Sequence, residues 1–191
     1  MSATGAILIP IRSFDDAKTR LAGVLSPADR RRLAMAMAER VVRAARGLPV
    51  FVVSDDDEVL RWADRLGAEG LAPGVKGLNE SITAAVSQLA SSAEPPARVI
   101  IAHADLPLAE DLRVVTGRGV AIAPDSDRDG SNVMSLPIDA AFTFHYGPGS
   151  FAAHRDEAER RGLEFTIIDE ASLALDVDDP GDLVRLDLEG S

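Results

Sequence analysis

The sequence predicts an α/β fold, a three-layer sandwich in which helices cover both faces of a mostly parallel, partly mixed sheet. In the first half of the chain, short apolar runs alternate with stretches of helical periodicity, as in βαβ units. In the second half, four strand-like runs share a single helical stretch, so mixed pairing is expected there. The length of 191 residues suits one domain, which we assign to residues 1–191.

The first half contains short apolar runs that are bounded by polar or turn-forming residues, as buried strands are. The first helix has the clearest ends, because Ser26 and Pro27 supply an N-cap and a first helical position, and Gly47 supplies a stop. Gly67 ends the second helix in the same way. The sequence predicts strands at 5–11, 50–54, 69–72 and 98–102, with helices at 27–47, 58–66 and around 82–89.

The second half is predicted to contain strands at 120–123, 133–136, 165–168 and 173–177, with one helix at 150–161. In sheets of this kind, ligands bind beyond the carboxyl ends of the parallel strands. Functional residues are therefore expected in the loops that follow the strands.

Composition excludes several classes of protein. The chain has no cysteine, so disulfides, thiolate metal sites and a cysteine nucleophile are excluded. The net charge of -11 argues against binding to nucleic acid or to anionic membranes, because both require a basic surface. No apolar run approaches the roughly 20 residues of a membrane span, and the N-terminus lacks a targeting pattern. We therefore expect a soluble, cytoplasmic protein.

Three carboxylates are candidates for a Mg²⁺ site. Asp176 and Asp178 are two residues apart, which would place both on one face of an extended strand, and Asp105 follows the strand at 98–102. If the two strands are neighbours, the three carboxylates meet at one sheet edge, where they suit a hard divalent cation that also binds phosphate. Each candidate also has a purely structural interpretation. Asp176 and Asp178 could belong to a turn after which Asp179 and Pro180 begin a helix, and Asp105 could cap a turn or a helix.

The loop after the first strand carries three cations, Arg12, Lys18 and Arg20, at the same edge. It contains neither G-x-G-x-x-G nor G-x-x-x-x-G-K-[ST], so dinucleotide redox chemistry and P-loop hydrolysis are not expected. The loop either faces bound phosphates or is a solvated basic surface.

Three further segments offer polar groups next to predicted elements. Gly147 and Ser150 lie at a helix start, where backbone N–H groups bind anions, although Ser150 could simply cap the helix. Ser131 lies in a polar turn before a strand, and Asn79 precedes a helix that it could cap, or it could bind a nucleoside. His103 is expected to be a packed imidazole.

Taken in order, these segments resemble the guanylyltransferases of coenzyme F-420 biosynthesis, the family of 2-phospho-L-lactate guanylyltransferase and its phosphoenolpyruvate-using bacterial relatives. The resemblance spans nearly the whole chain, and the segments that carry it are 17–21 (AKTRL), 78–79 (LN), 103–107 (HADLP), 129–132 (DGSN), 146–150 (YGPGS) and 175–180 (LDVDDP). Ala104 departs from the family pattern, which has glycine before the aspartate.

The resemblance implies a nucleotide-diphospho-sugar-transferase-like fold of the GT-A type, similar to that of molybdenum cofactor guanylyltransferase. It also implies a reaction in which a phosphate oxygen of a three-carbon acid attacks the α-phosphorus of GTP and releases pyrophosphate. The residue roles it implies are Mg²⁺ ligands (Asp105, Asp176, Asp178), catalytic groups (Lys18, Arg20, Asp105), nucleotide contacts (Arg12, Lys18, Asn79) and acceptor contacts (Ser131, Gly147, Ser150).

Several points stay open at the level of sequence. The acceptor is phosphoenolpyruvate, 2-phospholactate or 3-phosphoglycerate. High Ala and Arg usage points to a bacterial source, for which the family resemblance favours phosphoenolpyruvate. A nucleotidyltransferase with another product and a catalytically silent GTP-binding domain are the alternative functions. The number of metal ions, the residues that select guanine and the oligomeric state, a homodimer included, are undetermined.

Overall fold

The computed structural model describes residues 5–189, with side chains through Leu186. Its strands are β1 (Gly5–Pro10), β2 (Val50–Val53), β3 (Glu69–Leu71), β4 (Arg98–Ala102), β5 (Val120–Pro124), β6 (Ser131–Pro137) and β7 (Phe165–Ile167). Its α-helices are α1 (Pro27–Arg43), α2 (Asp57–Arg65), α3 (Leu78–Ala90), α4 (Ser150–Arg160), α5 (Ala171–Ala174) and α6 (Pro180–Glu189), and short 3₁₀ helices occupy Thr19–Gly23 and Leu112–Val114.

The strands form one seven-stranded sheet in the order β3-β2-β1-β4-β6-β5-β7. β6 runs antiparallel to both of its neighbours, and the other pairs are parallel. A short polar turn joins β5 to β6, so their antiparallel pairing follows from the connection, since parallel strands need a longer crossover. The predicted mostly parallel, partly mixed sheet is confirmed.

Apolar side chains cover both faces of the sheet, because successive residues of a strand point to opposite sides. Ile7 and Ile9 pack with Trp62 of α2 on one face, and Leu8 packs with Ile82 of α3 on the other. The three-layer arrangement predicted from the sequence is therefore confirmed. Within residues 5–189, no helix is sufficiently long and apolar to cross a membrane.

The strand predicted at 173–177 is wrong. Residues 171–174 form α5 instead, and residues 175–178, which begin with Leu175 in extended backbone, pair with no strand of the described sheet. β7 already pairs along that side of β5, and the carbonyl groups of Leu173 and Ala174 accept hydrogen bonds from the Asn132 side chain. Buried and partly exposed residues still alternate along this segment. Leu175 and Val177 are buried, whereas the aspartates on either side of Val177 are partly exposed.

The predicted helix ends are mostly confirmed. The Ser26 hydroxyl accepts a hydrogen bond from the Asp29 N–H at 3.2 Å, and the Asp179 carboxylate accepts one from the Gly181 N–H at 2.7 Å. α1 is shorter than predicted, because it ends at Arg43 and the chain turns before Gly47, whose φ is +87°.

Candidate active site

The candidate site lies at the carboxyl ends of β1 and β4, which are adjacent and parallel. The loop after β1 carries Lys18, and the loop after β4 carries Asp105. The segment before α6 joins them, because the Val177 N–H donates a hydrogen bond to the Asp105 carbonyl at 3.2 Å. That bond places Asp176 and Asp178 beside Asp105. The structure thus brings the three predicted carboxylates to one place, although an isolated extended segment replaces the expected strand.

Lys18 joins two of these carboxylates. Its Nζ donates to Asp105 Oδ2 at 2.6 Å and to Asp178 Oδ1 at 2.9 Å, and only 8% of its side chain is exposed. Its backbone is left-handed, with φ of 55°, at the start of the first 3₁₀ helix. Burial acts to lower the pKa of Lys18, but the Asp105 and Asp178 carboxylates outweigh burial and raise it. An ammonium ion therefore lies between two carboxylates that were predicted to hold a metal.

Lys18 leaves the other acidic groups incompletely neutralised. Burial, and then the neighbouring Asp105 and Asp178, raise the pKa of Asp176 to about 6. Its described side-chain partner is the Asn132 amide, at 3.5 Å. Asp105 Oδ1 is buried without a hydrogen-bond partner within the described residues. The exposed Arg20 approaches Asp178 only to 3.8 Å. This excess of negative charge and the unpartnered oxygen suit a hard divalent cation.

Within residues 5–189, however, no three histidine or acidic side chains are arranged as a ready metal site. The Lys18 ammonium lies between Asp105 and Asp178, so the two carboxylates are turned towards it. The assignment of these aspartates as Mg²⁺ ligands consequently stays a prediction.

The raised pKa of Asp176 predicts an unusual dependence of stability on pH in the metal-free protein. Since the folded state holds the Asp176 proton to about pH 6, whereas an unfolded aspartate releases it near pH 4, the contribution of Asp176 to stability falls as pH rises through this window. Asp176→Asn should remove that loss. In chelator, the variant should melt at a higher temperature than wild type above pH 6 and at a similar temperature near pH 4. An equal or lower melting temperature above pH 6 would contradict the described environment.

A cavity of about 250 Å³ adjoins Lys18 and Asp105. It is lined by residues of the first loop, including the exposed Arg12, and by Leu78 and His103. The predicted phosphate-facing loop and the β4 loop therefore share one opening. A larger cleft of about 530 Å³ lies elsewhere, between the end of α1 and residues 109–110, and contains none of the predicted site residues.

Asn79 lies in α3 and does not cap it, because the N-cap residue is Gly77. Its side chain binds the backbone of Tyr146 twice. Oδ1 accepts a hydrogen bond from the Tyr146 N–H at 2.7 Å, and Nδ2 donates to the Tyr146 carbonyl at 3.1 Å. Asn79 therefore connects α3 to the segment that carries Gly147.

The predicted acceptor residues lie around the start of α4. Gly147 is exposed, whereas Ser131 and Ser150 are buried. Gly149 is the N-cap residue, so the capping role considered for Ser150 is wrong. The helix start already has internal partners: the Gly149 N–H donates to the Asp129 carboxylate at 3.0 Å, and the Phe151 N–H donates to the Asp129 carbonyl.

His154 is a buried polar residue that the sequence did not single out. Its Nδ1 lies 3.0 Å from Ser131 Oγ, and its Nε2 accepts a hydrogen bond from the His145 N–H at 2.8 Å. His154 lies on the buried side of α4, and a core residue would occupy the same position, so the sequence pattern carries no signal of its hydrogen bonds. The two hydrogen bonds become visible only when β6 and the 145–147 segment are brought against α4.

Comparison with known proteins assigns the chain to a family. A family model described as "Guanylyl transferase CofC like" matches residues 5–191. The chain belongs to this family. The resemblance to the guanylyltransferases of coenzyme F-420 biosynthesis is therefore confirmed, and with it the class of enzyme, a nucleotidyltransferase.

Two curated relatives of the chain carry different guanylyltransferase names. Phosphoenolpyruvate guanylyltransferase from Rubrobacter xylanophilus is 37% identical over 193 residues, covering 96% of this chain and 93% of the relative. The 2-phospho-L-lactate guanylyltransferase from Methanocaldococcus fervens is 33% identical over 190 residues, covering 96% of this chain and 85% of the relative.

Solved structures with low sequence identity share the fold of this family member. A putative nucleotide-diphospho-sugar transferase from Desulfovibrio desulfuricans G20 superimposes with a TM-score of 0.77 at 18% identity, covering 95% of this chain and 85% of that one. A nucleotidyl transferase from Methanothermobacter thermautotroptrophicus superimposes with a TM-score of 0.67 at 15% identity, covering 96% of this chain and 95% of that one. The predicted nucleotide-diphospho-sugar-transferase-like fold is confirmed.

Proposed function

We propose that this chain condenses GTP with phosphoenolpyruvate to give enolpyruvoyl-2-diphospho-5'-guanosine and pyrophosphate in coenzyme F-420 biosynthesis. The observation that carries the proposal is the meeting of Lys18 with Asp105 and Asp178 beside a cavity, in a chain whose relatives are named guanylyltransferases. We prefer phosphoenolpyruvate as the acceptor because the chain is 37% identical to the phosphoenolpyruvate guanylyltransferase and 33% identical to the 2-phospho-L-lactate guanylyltransferase reported above.

The residues at the carboxylate cluster suit the transfer of a nucleotidyl group. Asp105, Asp176 and Asp178 would hold Mg²⁺, which when bound neutralises phosphate charge and polarises a phosphoryl oxygen. Lys18 lines the same cavity and carries a positive charge. With a cation held by Asp105 and Asp178, the Lys18 ammonium would be available to the triphosphate. Arg20 and Arg12 are exposed at the same edge and add positive charge there.

No strong general base is required by this chemistry. The phosphate of the acceptor is ionised at neutral pH, so it is already a nucleophile, and the protein has to align it with the α-phosphorus and neutralise charge. We assign the acceptor end to the exposed Gly147 backbone, with Ser131 and Ser150 behind it. Asn79 then acts at the junction of the two substrate sites, because it binds Tyr146 from α3.

The test is a product assay with the wild-type protein. The protein is incubated with GTP, Mg²⁺ and one acid at a time, and the guanosine adduct is identified by mass, since the adducts of phosphoenolpyruvate and 2-phospholactate differ by two hydrogens. We expect an adduct and stoichiometric pyrophosphate with phosphoenolpyruvate, and no pyrophosphate when the acid is omitted. Preferential use of 2-phospholactate or 3-phosphoglycerate would correct the acceptor. Absence of an adduct with all three acids would contradict the proposed reaction.

A further inference from the structure

His154 connects two parts of the acceptor end through its two ring nitrogens. On one side, Nδ1 lies 3.0 Å from the hydroxyl of Ser131 at the start of β6. On the other side, Nε2 lies 2.8 Å from the backbone nitrogen of His145. The imidazole is fully buried. Both bonds therefore form in a water-excluded setting, where leaving either partner unpaired is destabilising.

The hydrogen-bond partners fix the tautomer of His154. A backbone N–H can only donate, so Nε2 has to present its lone pair to His145. In the neutral ring the proton is then on Nδ1, which donates to Ser131 Oγ. Burial lowers the pKa of His154 to about 4, and His145 and His103 nearby act in the same direction, so the ring is neutral at physiological pH. Because Ser131 Oγ accepts this bond, its own O–H proton is left free to donate.

The same ring supports the segment before Gly147. His145 is bound through its N–H, and the next residue, Tyr146, stacks its ring edge-on against His154 with centroids 4.8 Å apart. Asn79 of α3 holds the backbone of Tyr146 through two hydrogen bonds. The two residues before the exposed Gly147 are thus fixed by two side chains, and one of them is His154.

We propose that His154 is a positioning residue for the acceptor acid: as a neutral Nδ1-protonated imidazole, it orients the buried Ser131 hydroxyl behind the acceptor site and fixes the 145–147 segment that presents the Gly147 backbone. The proposal rests on the proposed function, because it assigns the acceptor to these groups. His154 itself does not touch the substrate, and its effect passes through Ser131 and His145.

Two substitutions separate the two hydrogen bonds. His154→Gln places a carbonyl oxygen near the position of Nε2, so it keeps an acceptor for the His145 N–H and loses the donor to Ser131. His154→Asn places an amide nitrogen near the position of Nδ1, so it keeps the donor and loses the acceptor. Ser135→Ala is the matched control, because Ser135 is buried in the same strand and its hydroxyl binds Arg98 instead.

The kinetic test measures KM for each substrate. His154→Gln should raise KM for phosphoenolpyruvate about tenfold, as the loss of one buried hydrogen bond does, and leave KM for GTP within about twofold. Ser131→Ala should raise the KM for phosphoenolpyruvate by a smaller factor in the His154→Gln background than in wild type, because both changes remove the hydrogen bond between His154 and Ser131. Ser135→Ala should leave both KM values within about twofold. An equal rise of both KM values in His154→Gln, or no rise, would overturn the positioning role.

A second measurement is independent of turnover. In ¹⁵N-histidine-labelled protein without substrates, the His154 signals, assigned by their absence in His154→Gln, should show a protonated Nδ1 and an unprotonated Nε2. The opposite tautomer or a charged ring at neutral pH would overturn the inference even in an active enzyme. Conversely, the expected tautomer in a wild-type protein that makes no adduct would show that the proposed function has failed and that the described hydrogen bonds are correct; the acceptor role would then fall with the function.

Discussion

Asp176→Asn should lower kcat by about 100-fold or more, the usual loss when a group that stabilises transition-state charge is removed. The substitution preserves shape and removes one negative charge from the cluster that we propose holds Mg²⁺. Because Asp105 and Asp178 already share Lys18, Asp176 is the carboxylate most available to a cation. Steady-state rates of pyrophosphate release with saturating GTP and Mg²⁺ measure the effect.

The matched control for this variant is Asp179→Asn. Asp179 is exposed, and its carboxylate caps α6. Asparagine caps helices equally well, so activity and stability should both stay near wild type. If Asp176→Asn retains near-wild-type turnover, its proposed metal role is wrong. The combination expected of Asp176→Asn, a more stable metal-free protein above pH 6 with much lower activity, is typical of a residue kept for function at a cost in stability.

Lys18→Met should lower kcat/KM for GTP by about 100-fold and also destabilise the metal-free protein by about 1–3 kcal/mol at pH 7. Both effects have the same origin. The variant removes the ammonium from between Asp105 and Asp178 and leaves Asp105, whose Oδ1 is buried, without a cationic partner. Denaturant unfolding in chelator measures the stability, and added Mg²⁺ should restore more stability to the variant than to wild type, because a second cation can replace the lost one.

Lys76→Met is the control, because Lys76 is the other lysine of the chain and is exposed. It should change neither GTP use nor stability measurably. Wild-type stability in Lys18→Met would contradict the two ion pairs described here, and wild-type kcat/KM for GTP would contradict a role of Lys18 at the triphosphate. The opposite effects of Lys18→Met and Asp176→Asn on metal-free stability follow from their opposite charges in one cluster.

Local patterns were sufficient to predict most of the fold. Apolar runs bounded by turns located the strands of the first half, and the residue pairs Ser26-Pro27 and Asp179-Pro180 located helix starts, because capping depends on neighbours in sequence. The predicted strand at 173–177 failed for a physical reason. Alternation of apolar and polar residues records burial on one side, and a chain can satisfy it in extended form without a ladder partner.

Contacts between distant segments account for what the sequence left out of the site. The sequence predicted that Asp105, Asp176 and Asp178 would meet if two strands were neighbours, but the 175–178 segment reaches Asp105 through the Val177 N–H, without pairing as a strand. The contact of Lys18 with two of them spans 87 and 160 residues, and no local spacing indicates it. His154 was missed because its partners lie in β6 and before α4. The sequence identified Asn79 as a candidate site residue, but its two hydrogen bonds to Tyr146 depend on tertiary packing.

We propose that this chain transfers the guanylyl group of GTP to a phosphorylated three-carbon acid. The fate of a ³²P label at the α-phosphorus tests this transfer most directly. With GTP labelled with ³²P at the α-phosphorus, together with Mg²⁺ and phosphoenolpyruvate, wild type should convert the label into the guanosine adduct and release unlabelled pyrophosphate. Label that stays in GTP, or that appears in GDP or GMP without an adduct, would contradict guanylyl transfer to the acid.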